Sequence, residues 1–149
     1  MYINCVIVYI WSGADKGFDI SRSSQAYPHR SEDVLFQRDA VRHLSAIVLM
    51  ELRAGALLPA DRRLGRRVES AFEKTGRILT PSRNVFAEAG EALHRLQARG
   101  LRIEASHSIV DDVLIALSAR SIGATVVTQN ERDFRAIQAV RPFELRVVR

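Results

Sequence analysis

The chain is poor in several things, and each shortage closes a door. Its 149 residues hold one cysteine, Cys5, so no internal disulfide framework is available, which fits a reducing, cytoplasmic setting. No internal repeat and no low-complexity tract marks it as a solenoid or a disordered linker. The apolar run "MYINCVIVYIW" stops at 11 residues, short of the ~20 that span a bilayer. It has no basic n-region and no obvious cleavage site, so it is expected as a buried strand, with no membrane association. Lysine is reduced to Lys16 and Lys74. The four histidines, His29, His43, His94 and His107, show no metal-like pairing and are assigned to ordinary surface or local hydrogen bonding.

What is present describes an ordinary globular protein. An apolar share of 47% and a charged share of 26% suit one domain over residues 1–149 with a proper core. Twenty-two basic residues against 17 acidic ones leave a net charge of +5. Much of the excess lies in "DRRLGRRVESAFEKTGR", residues 61–77, where Arg63, Arg66, Arg67 and Lys74 recur at roughly helical spacing. A basic stripe attracts phosphate backbones; the plainer reading is a solvated helix face.

Local signals divide the rest of the chain. Residues 1–10 form a continuous apolar run rich in β-branched side chains, as a central parallel strand requires. Residues 12–38 are rich in Gly, Ser and Asp and read as a partly disordered loop, with a short helix near "DVLFQRDAV". His43 and Leu44 can form a short extended segment, Ser45 can cap the helix "AIVLMELRAGA", and Gly55 can stop it. Residues 62–74 read as a helix ending at Gly76. Thr80 with Pro81 offers an N-cap and first position for the next helix, which carries Val85, Phe86, Ala89, Leu93 and Leu96 and stops at Gly100. Ser108 opens a further helix with Asp111 and Asp112 in its first turn, and Gly123 closes it. "ATVVTQN" and "FELRVV" read as strands. Strands alternating with helices indicate an α/β domain with a mainly parallel sheet, whose sites lie beyond the carboxyl ends of the strands.

Three acids are candidates for that rim: Glu51 in a helix, Asp112 at a helix start and Asp133 after a strand. Each alone has a plain explanation, as a surface residue, a helix-dipole partner and a turn cap. Periodicity cannot bring them together. Together, however, "LSAIVLMELRAGA", "DDVLIALSAR" and "VVTQNERDF" resemble the PIN-domain family, and specifically its VapC-type toxins. The likeness covers about two-thirds of the chain, from about Arg42 onward.

That resemblance implies a three-layer α/β/α sandwich and a metal-dependent endoribonuclease cleaving single-stranded RNA. Glu51, Asp112 and Asp133 would surround Mg²⁺ or Mn²⁺, with Thr128, Asn130 and Asp111 behind them. Hard divalent cations take oxygen ligands of this kind. Arg53, Arg66 and Arg67 are expected to flank the acids and hold phosphates. The resemblance also implies a VapB-type antitoxin partner and a homodimer. One departure stands out. The family's first strand normally ends in aspartate, and here Asn4 occupies that place. An amide oxygen brings no charge, so Asn4 as a ligand would weaken the metal. Either the nuclease is weakened or silent, or Asp15 or Asp19 from the neighbouring loop reaches the site. A catalytically silent PIN domain that binds antitoxin or RNA is the second reading. A phospho-accepting receiver domain is the third; it needs an acidic pair after the first strand and a lysine after the last, and neither is evident.

Overall fold

The computed structural model describes residues 41–101 and 107–148, with the backbone alone at His107. The expected first strand, the 12–38 loop and its short helix, Asn4, Asp15 and Asp19 lie outside the described residues. Along the described chain the order is β1 (Leu44–Ser45), α1 (Ala46–Gly55), α2 (Pro59–Glu73), β2 (Ile78–Leu79), α3 (Arg83–Ala98), α4 (His107–Ser121), β3 (Val126–Thr128), α5 (Glu131–Val140) and β4 (Leu145–Val147). Both strand pairings are parallel, β1 with β2 and β3 with β4. Leu44 aligns with Ile78, and Val126 with Leu145. Parallel neighbours joined through helices make this an α/β fold.

Helix ends follow short-range chemistry. Ser45 caps α1, its hydroxyl accepting from the Ile47 amide at 3.2 Å. At the far end of α3, Gly100 takes a positive φ of 91°, which a side chain would resist. Its amide donates to Gln97, and the Leu101 amide donates to Leu96, closing the last turn. Gly123 ends α4 the same way, with Ala124 donating to Ala119.

Four expectations need correction. Helix α2 starts at Pro59, not Arg62, because proline's fixed φ and missing N–H suit a first helical turn. Thr80 does not cap α3; Ser82 does, accepting from the Val85 amide at 3.3 Å, and Pro81 stands before the helix rather than in it. Helix α4 begins at His107, so Asp111 and Asp112 fall beyond its first turn and the helix dipole does not account for them. Asp133 does not merely follow a strand; it lies in the first turn of α5, a helix signalled by Asn130 as N-cap, by Glu131 and Asp133, and by the buried Phe134, Ile137 and Val140.

The core is built around α4. Val113, Leu114, Ile115, Ala116, Leu117 and Ala119 are all buried, so this helix is enclosed on nearly every side. Helices α3 and α5 pack on it through Val85, Ala89, Ala92 and Leu96, and through Phe134 and Ile137. Phe134 meets Phe143 edge to face, ring centres 6.4 Å apart. Helix α2 contributes no fully buried residue; Val68 and Phe72 cover the core's margin.

Candidate metal centre

Asp112 is the anomaly of this core. It is 4% exposed on a helix whose other buried positions, Ser118 aside, are apolar. Burial pushes its carboxyl up to about 7, and Asp133, Glu51 and Asp111 add like charge in that order. Glu51 is also raised, by burial first and by Asp111 second. Helix α1 carries Glu51, α4 carries Asp111 and Asp112, and the start of α5 carries Asp133, so four acids from three helices act on one another.

Asn130 ties two of them together. It follows β3 by two residues, and its side-chain amide donates to Asp112 Oδ2 at 3.1 Å and to Asp133 Oδ2 at 3.0 Å. Its Oδ1 accepts from the Asp133 amide at 3.3 Å, capping α5. Both N–H donors and the carbonyl are therefore engaged. Thr128, buried at the end of β3, fixes the backbone beneath by accepting from the Asn130 amide at 3.0 Å. The strand end thus delivers a clamp that aims two carboxylates, as expected at the carboxyl edge of a parallel sheet.

Thr128, Asn130, Asp112 and Asp133 are joined by this network, and Glu51 and Asp111 lie near enough to act on Asp112 electrostatically. The arginines are placed differently. Arg53 is bound to Glu69 of α2, its Nη2 at 2.6 Å from both carboxylate oxygens, so a phosphate would have to compete for it. Arg66 and Arg67 stand exposed on α2.

In charge and donor chemistry the acids suit a hard divalent cation: all offer oxygen, and a cation beside Asp112 would relieve both burial and repulsion. In distance they do not complete a coordination sphere, since among the described residues no group of three or more His, Cys, Asp or Glu could hold a metal ion.

The PIN domain profile matches residues 6–140. The chain belongs to the PIN domain family. Its α/β fold with parallel strands is the PIN fold, as expected. The matched span begins two residues beyond Asn4 and does not reach it. Among solved structures, one of FitAB bound to an IR36 DNA fragment is similar, at 27% identity and a TM-score of 0.54, over 70% of this chain and 71% of that one. No curated protein matches. Among the described residues no helix is long and apolar enough to cross a membrane.

Proposed function

We propose that this PIN domain is a divalent-metal-dependent endoribonuclease of the VapC toxin type, acting on single-stranded RNA in the cytoplasm and restrained by a VapB-type antitoxin. The observation that carries the reading is Asp112, buried, surrounded by acids and raised to about 7. Such a carboxyl burdens a core that gains nothing from it, and strongly perturbed acids in clusters mark functional sites.

Asp112 and Asp133, with Glu51, are the residues that would hold Mg²⁺ or Mn²⁺. When bound, the ion supplies charge neutralisation at the phosphate oxygens and a water activated for attack. The chain's own part is positional. Asn130 holds the Asp112 and Asp133 carboxylates at a set separation, and Thr128 holds Asn130. Asp111 adds negative charge behind Glu51 and Asp112. Arg66 and Arg67 supply exposed cations for phosphates, and Arg53 does so only by leaving Glu69. A homodimer completes the reading, and FitAB's bound DNA fragment is in keeping with a nucleic-acid setting.

A second reading has its own support. The described acids do not form a metal-holding group, and Asn4 removes one formal charge from the place where an acid is expected. Both favour a catalytically silent domain that binds antitoxin or RNA. Incubating the full chain and Asp112→Asn with single-stranded RNA in Mg²⁺, Mn²⁺ or EDTA separates the two. Cleavage that needs the ion and vanishes in Asp112→Asn supports the nuclease. RNA binding without cleavage in either ion, with no thermal shift on adding metal, overturns it.

A further inference from the structure

We propose that Glu69 restrains RNA binding by holding Arg53, and that a backbone phosphate of the bound strand must take Arg53 from it. The proposal rests on the single-stranded-RNA reading above and adds the side chain that limits how tightly the strand is held. Its test measures binding in EDTA, so it is separate from cleavage.

Arg53 stands in the last turn of α1 and reaches across to α2. The bond is lopsided. Nη2 alone meets both Glu69 oxygens, at 2.6 Å each, while Nε and Nη1 make no hydrogen bond among the described residues. Three of the five N–H groups of the guanidinium thus stay open. Exposure is as uneven, 64% for the Arg53 side chain and 20% for Glu69. The carboxylate is the fixed partner, next to Val68 and a turn before Phe72, which both pack on the core. The guanidinium is the one that can swing, on a long stem in water. A phosphate can therefore bind the open N–H groups first and take Nη2 afterwards. Leaving the partly covered Glu69 without its cation is the cost that opposes the exchange.

The other long-range ion pairs serve a different end. Arg120–Glu88 and Arg141–Glu91 fasten α3 to elements with which it already shares a core. The Arg53 pair fastens α1 to a helix that buries no residue fully. Among the described residues no carboxylate pairs with Arg62, Arg63, Arg66 or Arg67, so α2 offers those cations freely. Arg53 is the exception, and Glu73 adds a second negative charge near it. On α1, Arg53 lies two residues from Glu51 and so points roughly the opposite way. A phosphate on Arg53 is then not the one at the acids, and this contact bears on affinity rather than on the chemical step.

Anisotropy of a fluorescent single-stranded oligouridylate, titrated in EDTA over a range of KCl, tests this. Glu69→Gln keeps the shape and drops the charge. It should tighten binding about threefold to fivefold, the scale of an exposed ion pair. Arg53→Ala should cost more in the Glu69→Gln background than in the original chain, and there it should lower the salt slope by roughly 0.7, one phosphate. A Glu69→Gln variant that binds like the original overturns the proposal. So does equal tightening in an Arg53→Ala background, which would be a general loss of negative charge, or a failure of every variant to bind the oligomer. A chain that follows the expected pattern yet cuts no RNA in Mg²⁺ or Mn²⁺ upholds the proposal and overturns the nuclease.

Discussion

Helices α2 and α4 have the same length, 15 residues, and use charge in opposite ways. Helix α4 is enclosed by core on nearly every side, and Asp112 is the acid driven into it. Helix α2 buries no side chain fully and carries a cluster of arginines in water. A charge on α2 is cheap, because solvent already satisfies it. A charge at Asp112 costs several kcal/mol unless something compensates. Cost is what makes one carboxylate a better guide to function than four exposed arginines.

The sharpest way to break that comparison is Asp112→Asn. The substitution keeps shape and removes the charge, so it should abolish metal-dependent cleavage while stabilising the metal-free fold. The unfolded carboxyl titrates near 3.8 and the folded one at about 7. Between those values the folded state binds more protons, so stability is greater at pH 4 and is lost as pH rises through 7. At about 1.4 kcal/mol per unit, the loss is at most about 4 kcal/mol. Thermal melts from pH 4 to 8 in EDTA should show this fall in the original chain and a shallower one in Asp112→Asn, where Glu51 remains a raised acid. Equal slopes would mean that Asp112 carries no such burden.

Next in size is Asn4→Asp. If Asn4 faces the same ion, the added carboxylate should tighten metal binding and raise cleavage about 10²-fold, roughly 3 kcal/mol of transition-state stabilisation. Asp112→Asn in that background should erase the gain. If Asn4→Asp changes neither calorimetric metal affinity nor rate, Asp15 or Asp19 becomes the next candidate.

Asn130→Ala should cost about 2 kcal/mol, since it removes the cap of α5 and leaves two carboxylates without their shared donor. Asn130→Asp keeps the cap but adds an acid beside Asp112, so it should be worse than alanine at pH 8 and recover at pH 5. Denaturant unfolding at the two pH values reads this directly.

The smallest effects belong to α2. Arg66→Ala with Arg67→Ala should leave stability within about 0.5 kcal/mol. If both touch phosphate, the pair should lower the salt slope of RNA binding by roughly 0.7 for each contact. Unchanged affinity and slope would make α2 a solvated face and nothing more.

Much of this molecule was readable before any fold was known. Ser45, Gly100 and Gly123 mark helix ends because capping is settled within a few residues. The strand at Val126–Thr128 and its parallel setting follow from β-branched runs alternating with helical ones. Where local rules competed, reading failed. Thr80 and Ser82 both offer a capping hydroxyl two residues apart, and only the geometry of entry into α3 chooses Ser82. Asn130 and Asp133 suit a cation's ligands as well as a helix's cap and first turn, and the burial of Phe134, Ile137 and Val140 is what marks α5.

The sequence by itself determined which side chains were available and which helices and strands would present them, since propensity, capping and periodicity act over one or two turns. Only the tertiary structure decided which of the adjacent Asp111 and Asp112 entered the core. It alone brought Asn130 across 18 residues to Asp112, and it turned Arg53 across 16 residues toward Glu69. Burial, pairing and the shifted acidity of Asp112 depend on elements distant in the chain, and no local pattern encodes how those elements pack.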